Sequence, residues 1–448
     1  MSSLLRTGQE VVGESSGLRC KVERFLGGGG QGEVYRASLA QTQVALKWYF
    51  NQAATAEQRA GLNTLIQKGK PNDRFLWPIE IVSAPGVPGY GYLMPLREPR
   101  FKSLFDLMKR TIQTSFRALL TAAIELPNSF YQLHAKGLCY CDISFGNVFF
   151  DPASGEVAIC DNDNVVIDGS EVGILGTPDF MAPEVVRGEK GPSIATDRFS
   201  LAVLLFYILH TAHPLYGRKV MQIHCLDLPA RTRLCGHEPL FIFDPDDRSN
   251  EAVSRQEDEV GDAGANALAC WPIYPQFVRD TFTKAFTDGI KDPEHGRVVE
   301  TVWRSVMARA RDSIVYCSNA NCGVENFYEA DRLRTNGGAQ ANCWGCGGPY
   351  RLPPRIRIDR QVVVLNFGTR IFPHHIAGQP TYDFSAPVAE VVQHPANPGV
   401  WGLKNLSKAK WVCTLPDGTI RDVEPERSLP LADGVKVSFG KVEGEIRV

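Results

Sequence analysis

Two stretches of this 448-residue sequence place side chains able to do chemistry at telling intervals. "LCYCDISFGNVFF" (138–150) sets Asp142 and Asn147 five residues apart in an apolar, strand-like run, and "ICDND" adds Asp161 and Asp163 soon after. Upstream, "FLGGGGQGEVYRA" (25–37) holds Gly27, Gly29 and Gly32 in the G-x-G-x-x-G spacing with Val34 two residues on, and "VALK" (44–47) carries Ala45 and Lys47. Glycines let amide N–H groups approach phosphate oxygens without a Cβ in the way, and Lys47 would add a fixed positive charge. The glycine spacing alone also fits turn chemistry or a dinucleotide fold. A dinucleotide fold needs a helix directly after the last glycine, whereas "EVYRASLAQTQVALKWYF" continues as alternating strand. A glycine-rich hairpin lid followed by a lysine-bearing strand is the arrangement that clamps a nucleoside triphosphate.

A separate cluster is Cys317, Cys322, Cys343 and Cys346, in "YCSNANCGVENFY" and "NCWGCGGPY". C-x4-C and C-x2-C pairs separated by twenty residues suit a tetrahedral thiolate site. Four thiolates leave no open position, so the expected Zn²⁺ is structural, and the segment resembles a zinc ribbon. About forty residues bury too little core to fold without such a metal. The other eight of the twelve cysteines lack comparable spacing and read as core thiols.

The elements that would position these residues follow from periodicity. Residues 10 to 50 alternate as hairpin strands. Helical patterning holds near 54 to 68, 101 to 136, 197 to 210 and 273 to 312. The acidic stretch "HEPLFIFDPDDRSNEAVSRQEDEVGDAGANAL" (237–268) reads as a long mobile insertion. "PPR" (353–355) reads as a linker, and from 356 onward short β-branched runs between "NPG", "PDG" and "ADG" turns predict an all-β tail. An acidic partner for Lys47 should come from a nearby helix, and Glu57 is the candidate, with a solvated helix-face glutamate as the alternative.

Taken in order, these features resemble the eukaryotic-like serine/threonine protein kinase family over roughly residues 10 to 312. Asp142 and Asn147 match its catalytic-loop aspartate and asparagine, and Asp161 its metal-binding aspartate. "GTPDFMAPE" (176–184) looks like the end of an activation segment. Asp197 in "TDRFSLAVLLF" resembles the residue that braces the catalytic loop, and Arg297 the partner of Glu184. The resemblance implies ATP and Mg²⁺ as cofactors, Asp142 as the group accepting the substrate hydroxyl's proton, and Asn147 and Asp161 as Mg²⁺ ligands. It also makes Met94 the residue gating the adenine pocket, with Pro95 and Leu96 as hinge. Thr177 implies a serine/threonine acceptor.

The chain departs from that pattern at several positions. Tyr140 and Cys141 replace the usual His-Arg, so an activation loop phosphorylated at Ser170 or Thr177 would lack its docking charge. Ser144 stands where a lysine is usual. Asp161-Asn162-Asp163 replaces Asp-Phe-Gly, where Asp163 either adds a carboxylate near the metal or solvates the turn.

The expected fold class is multidomain α+β: a bilobal kinase-like domain over 1–312 (lobes at about 10–96 and 97–312), a zinc ribbon over 313–355 and an all-β sandwich over 356–448. The last part resembles a forkhead-associated domain in "LKNLS", the "PDG" turn and "LADGVKVSFG". Arg370 and Ser385 fall near its phosphopeptide-binding positions, but Val388 replaces an expected histidine and Ala409 an asparagine. Either phosphopeptide recognition or a scaffold role follows. The whole arrangement resembles bacterial kinases acting with a von Willebrand factor A-type protein and a metal-dependent phosphatase in tellurium-resistance or stress systems. A pseudokinase scaffold recruiting partners is the alternative reading.

Composition bounds the rest. With 44% apolar and 22% charged residues and a net charge of −2, the chain is an ordinary globular protein with no bulk attraction to nucleic acid or anionic membrane. No apolar run approaches the roughly 18 residues that cross a bilayer, and the N-terminus lacks a signal-peptide pattern. A cytoplasmic address and a protein substrate are expected.

Overall fold

The computed structural model describes residues 4–170, 176–258, 263–335, 342–377 and 382–448. It forms two compact units, Met1–Thr114 with Thr121–Leu268 and Thr281–Arg304, and Ser115–Leu120 with Ala269–Asp280 and Ser305–Val448.

The first unit begins with strands β1 (Glu10–Gly13), β2 (Arg19–Gly28), β3 (Gly32–Leu39), β4 (Thr42–Tyr49), β5 (Glu80–Ser83) and β6 (Gly91–Pro95). They close into an antiparallel barrel in the order β1-β2-β3-β4-β6-β5. Alternation sends Tyr35, Ala37, Leu46, Trp48 and Leu93 inward to one apolar core. Helix α1 (Ala56–Lys68) starts where the Thr55 hydroxyl accepts the Gln58 N–H, and it buries only Leu62 and Leu65.

The remainder of this unit is built on helix Phe116–His134 and helix Ile194–His210. The second is apolar all round and buried along nearly its whole length, as a core helix must be. Four short strands pair antiparallel beside them, Leu138–Cys139 with Val166–Ile167 and Val148–Phe150 with Val157–Ile159. Asp142 and Asn147 therefore lie in the loop between two strands, not within the strand-like run that their apolar neighbours suggest. Those neighbours anchor the loop: the Phe145 ring packs edge-on against Phe180 and Tyr207 at 4.8 and 4.5 Å.

The acidic stretch after His237 also differs from expectation. Phe241, Ile242 and Val253 are buried in it, and the Asn250 amide, itself buried, donates to the Leu215 and Leu240 carbonyls at 2.9 and 2.7 Å. Over its described residues this is packed structure, because a few apolar anchors and one doubly bonded carboxamide outweigh its acidic average.

In the second unit, Ile314–Tyr316 pairs with Glu325–Phe327. A six-stranded and a four-stranded antiparallel sheet follow, and their inward faces share one core containing Ile356, Val391, Leu403, Trp411 and Val437. The unit takes in the starts of two helices ahead of residue 313 because the Phe116 and Tyr274 rings pack on Phe327 at 5.4 and 5.5 Å. Among the described residues, no helix is long and apolar enough to cross a membrane.

Within the first unit, Arg297 donates from Nη2 to both carboxylate oxygens of Glu184, at 2.7 and 2.8 Å, with both residues buried. Removing one partner strands the other charge, whereas removing both does not. We expect Arg297→Met to lower unfolding free energy by about 3–5 kcal/mol. Arg297→Met with Glu184→Met should cost distinctly less; urea titrations of the two variants check this.

Candidate active site

The lid comes from the β2–β3 turn. A Cβ on Gly32 would lie 2.3 Å from the Trp48 carbonyl oxygen, so only glycine lets β3 run this close to β4. Register then places Val34 opposite Lys47 and Ala45 opposite Met94. A cleft of about 1170 Å³ opens here. Gly27, Gly29, Gly32 and Val34 line it from the lid, and Ala45, Met94 and Leu96 from the strands behind. Lys47 reaches it from β4, and Asp142, Asn147 and Asp161 from loops far downstream in sequence.

Lys47 is 5% exposed, and its Nζ lies 2.6 Å from Asp161 Oδ1 and 2.9 Å from Asp163 Oδ2. Burial pushes its pKa down, but the charges of Asp163 and then Asp161 more than reverse this and raise it. Burial and the neighbouring Asp163 charge push Asp161 up, against Lys47. Asp163 is held below the carboxylate range in spite of its burial, by Lys47 and the Tyr49 and Tyr92 hydroxyls. Gln31 at the lid tip accepts from Lys47 at 3.2 Å and donates to Asn164 at 3.0 Å, tying lid to loop.

Glu57 is not brought to Lys47. It sits in the first turn of α1, fully exposed, its pKa lowered by its own backbone N–H and the Thr55 hydroxyl. The helix face turned to the cleft presents Gln58, which donates to Tyr49 Oη at 3.2 Å and to the Asp163 carbonyl at 3.1 Å. Asp163, Gln58, Tyr49 and Tyr92 are thus site residues that sequence reasoning missed or left open. The second acid of "DND" was the only signal among them.

The Asp142 carboxylate accepts from the Thr177 hydroxyl at 2.7 Å and from Asn147 Nδ2 at 3.0 Å. Asn147 Nδ2 also bonds the Asp142 carbonyl at 2.8 Å, so its amide oxygen is the atom left to ligate a cation. The loop is braced from below: Asp197 accepts the N–H groups of Tyr140 and Cys141 at 2.6 and 3.0 Å. His134 stands between Asp197 and Glu300, its ring nitrogens 3.1 and 2.7 Å from their oxygens. Burial would lower the pKa of His134, but both acids bond it and raise it to about 9.

In the second unit Cys317, Cys322, Cys343 and Cys346 converge, with Sγ–Sγ distances of 3.7 Å (317 to 346) and 3.8 Å (322 to 343). Gly323 and Gly347 take positive φ at the two knuckles. Against its burial, the N–H groups of Cys346 and Gly345 and the Asn326 amide bring Cys343 down to about 6. Asp312, His374 and His375 also cluster. There the Phe372 N–H donates to His375 Nδ1 at 2.9 Å, which puts the ring proton on Nε2, 3.0 Å from Asp312. That nitrogen is a donor in this pair and no metal ligand.

Comparison with known proteins finds that the protein kinase domain family matches residues 20–256. Mouse protein kinase C delta type is 32% identical over 146 residues, 30% of this chain and 21% of that protein. Serine/threonine-protein kinase sck2 of Schizosaccharomyces pombe is 31% identical over 104 residues, 22% of this chain and 16% of that protein. The chain therefore spans about a fifth or less of the length of these curated relatives.

The brace generates a pH dependence with a defined sign. The pKa of His134 is raised from 6.5 to about 9 on folding, so its contribution is complete below pH 6.5 and lost as pH rises through 9. It is on the order of 3 kcal/mol. Denaturant titrations from pH 6 to 10 should show this loss in the wild type and a flatter profile in His134→Gln.

Proposed function

The chain belongs to the protein kinase domain family, and from that premise we propose that it transfers the γ-phosphoryl group of ATP to Ser or Thr hydroxyls of a protein substrate, itself included. The observation that carries this reading is the convergence of Lys47, Asp142, Asn147 and Asp161 on one cleft beneath a glycine lid. Lid amides and Lys47 hold the phosphates, and Met94 and Leu96 back the base. Asp142, kept in place by Thr177 and Asn147, orients the acceptor hydroxyl and takes its proton as the new O–P bond forms and the bond to the β-phosphate oxygen breaks. Asn147 and Asp161 would hold Mg²⁺, which neutralises charge on the phosphates. The names of the relatives support the serine/threonine class.

The four cysteines fit Zn²⁺: bond lengths of about 2.3 Å in a tetrahedron require sulfurs about 3.8 Å apart, and the two distances here are 3.7 and 3.8 Å. The metal would be structural, as in a zinc ribbon over 313–355. The two sheets sharing one core support a forkhead-associated-like sandwich over 356–448. Within it Arg370 is committed to Glu390 at 3.0 Å and Ser385 to Asp383, which favours a scaffold over phosphopeptide capture. A cytoplasmic kinase working with a von Willebrand factor A-type protein and a metal-dependent phosphatase in bacterial stress signalling completes the proposal.

With labelled ATP we expect the wild type to phosphorylate itself and Asp142→Ala or Lys47→Ala to lose about 100-fold or more. Equal labelling in all three would sink the enzymatic reading. Elemental analysis should give about one zinc per chain, and Cys343→Ser should lose both that metal and thermal stability.

A further inference from the structure

We propose that Asp163 is the fixed acidic partner of Lys47: it holds the ammonium at the phosphates from the cation-binding turn itself, in place of an acid on α1. This rests on the kinase reading above. Kinase chemistry needs the strand lysine paired with a carboxylate before it can serve the phosphates, and the helix here offers only the neutral Gln58.

The two carboxylates beside Lys47 are not equivalent. The Asp161 side chain is 38% exposed and lines the cleft, whereas that of Asp163 is fully buried. Both oxygens of Asp163 are committed. Oδ1 accepts from Lys47 and from Tyr92 Oη, each at 3.0 Å, and Oδ2 accepts from Tyr49 Oη and lies 2.9 Å from Lys47. Asp163 therefore has no oxygen to offer a metal, while Asp161 does.

One ammonium between two carboxylates leaves a net charge of −1, which a divalent cation at Asp161 would more than offset. With Asp161 holding such a cation, Lys47 would still need a buried counter-charge, since an unpaired ammonium at this depth is costly. Asp163 supplies it. Gln58 contributes by pinning the Asp163 carbonyl and the Tyr49 hydroxyl, so α1 gives geometry and the turn gives charge. Lysine partner and cation ligand then sit two residues apart in one turn, Asp161 at φ 54° and Asp163 in the 3-10 turn Asn162–Asn164 that follows.

Asp163→Asn keeps the shape and removes the charge. Two readouts decide. The first is the pH profile of Lys47 acylation by an acyl-phosphate analogue of ATP, read by peptide mass spectrometry. The second is the split of kcat from KM for MgATP. We expect Asp163→Asn to shift the acylation profile to lower pH and to lower kcat at least about tenfold with a smaller change in KM. Glu57→Ala should match the wild type in both. An unshifted profile in Asp163→Asn, or an equal loss in Glu57→Ala, overturns the proposal. A wild type that is acylated at Lys47 yet transfers no phosphate removes the enzymatic reading, and the acylation profile then decides the pairing alone.

Discussion

A lysine ammonium can leave water only if opposite charge comes with it, and the cleft of this protein is arranged around that constraint. Lys47 is buried on β4 and its charge is met by two aspartates from one turn, about 115 residues along the chain. Barrel and loop must therefore close on each other to form the site. The tyrosines of β4 and β6 and the amide of Gln58 then complete the shell around Asp163, fixing that turn against both the sheet and α1.

The loop carrying Asp142 is positioned by a second buried charge system that shares no atom with the first. Asp197 takes two backbone N–H groups of that loop, and His134 links Asp197 to Glu300. A protonated imidazole beside Glu300 holds that carboxyl down to about 2 in spite of its burial, so the brace carries charge in a low-dielectric setting. Tyr140 and Cys141 meet Asp197 only through backbone, which explains how the loop keeps its place with side chains unlike the usual His-Arg.

The second unit is organised by other means. Two sheets supply a continuous apolar core, and the cysteine knuckles converge in a smaller apolar cluster with Val315, Tyr350 and Val364. Asn405, the last residue of strand Asn397–Asn405, is buried and donates to the Ala409 and Val423 carbonyls, fixing the turn that follows it.

Much of this could be read from the chain itself. Alternation between residues 10 and 50 marked the hairpin strands, because a half-buried strand must alternate, and the glycine spacing and "VALK" marked the β2–β3 turn and the strand position of Lys47 that line the cleft. Cysteine spacing specified the four-cysteine cluster, since two short pairs can present four sulfurs to one point wherever the intervening chain goes. The rotation of α1 could not be read in the same way: its moment is weak, its acid and its amide are adjacent, and packing alone decided that Gln58 faces the cleft and Glu57 the solvent. The role of Asp163 was equally hidden, because it depends on a left-handed residue before it and on hydroxyls from two separate strands. The stretch after His237 packs against its composition for the same reason: average composition reports solvation, whereas one buried asparagine and three apolar side chains, placed by contacts distant in sequence, decide whether a segment packs.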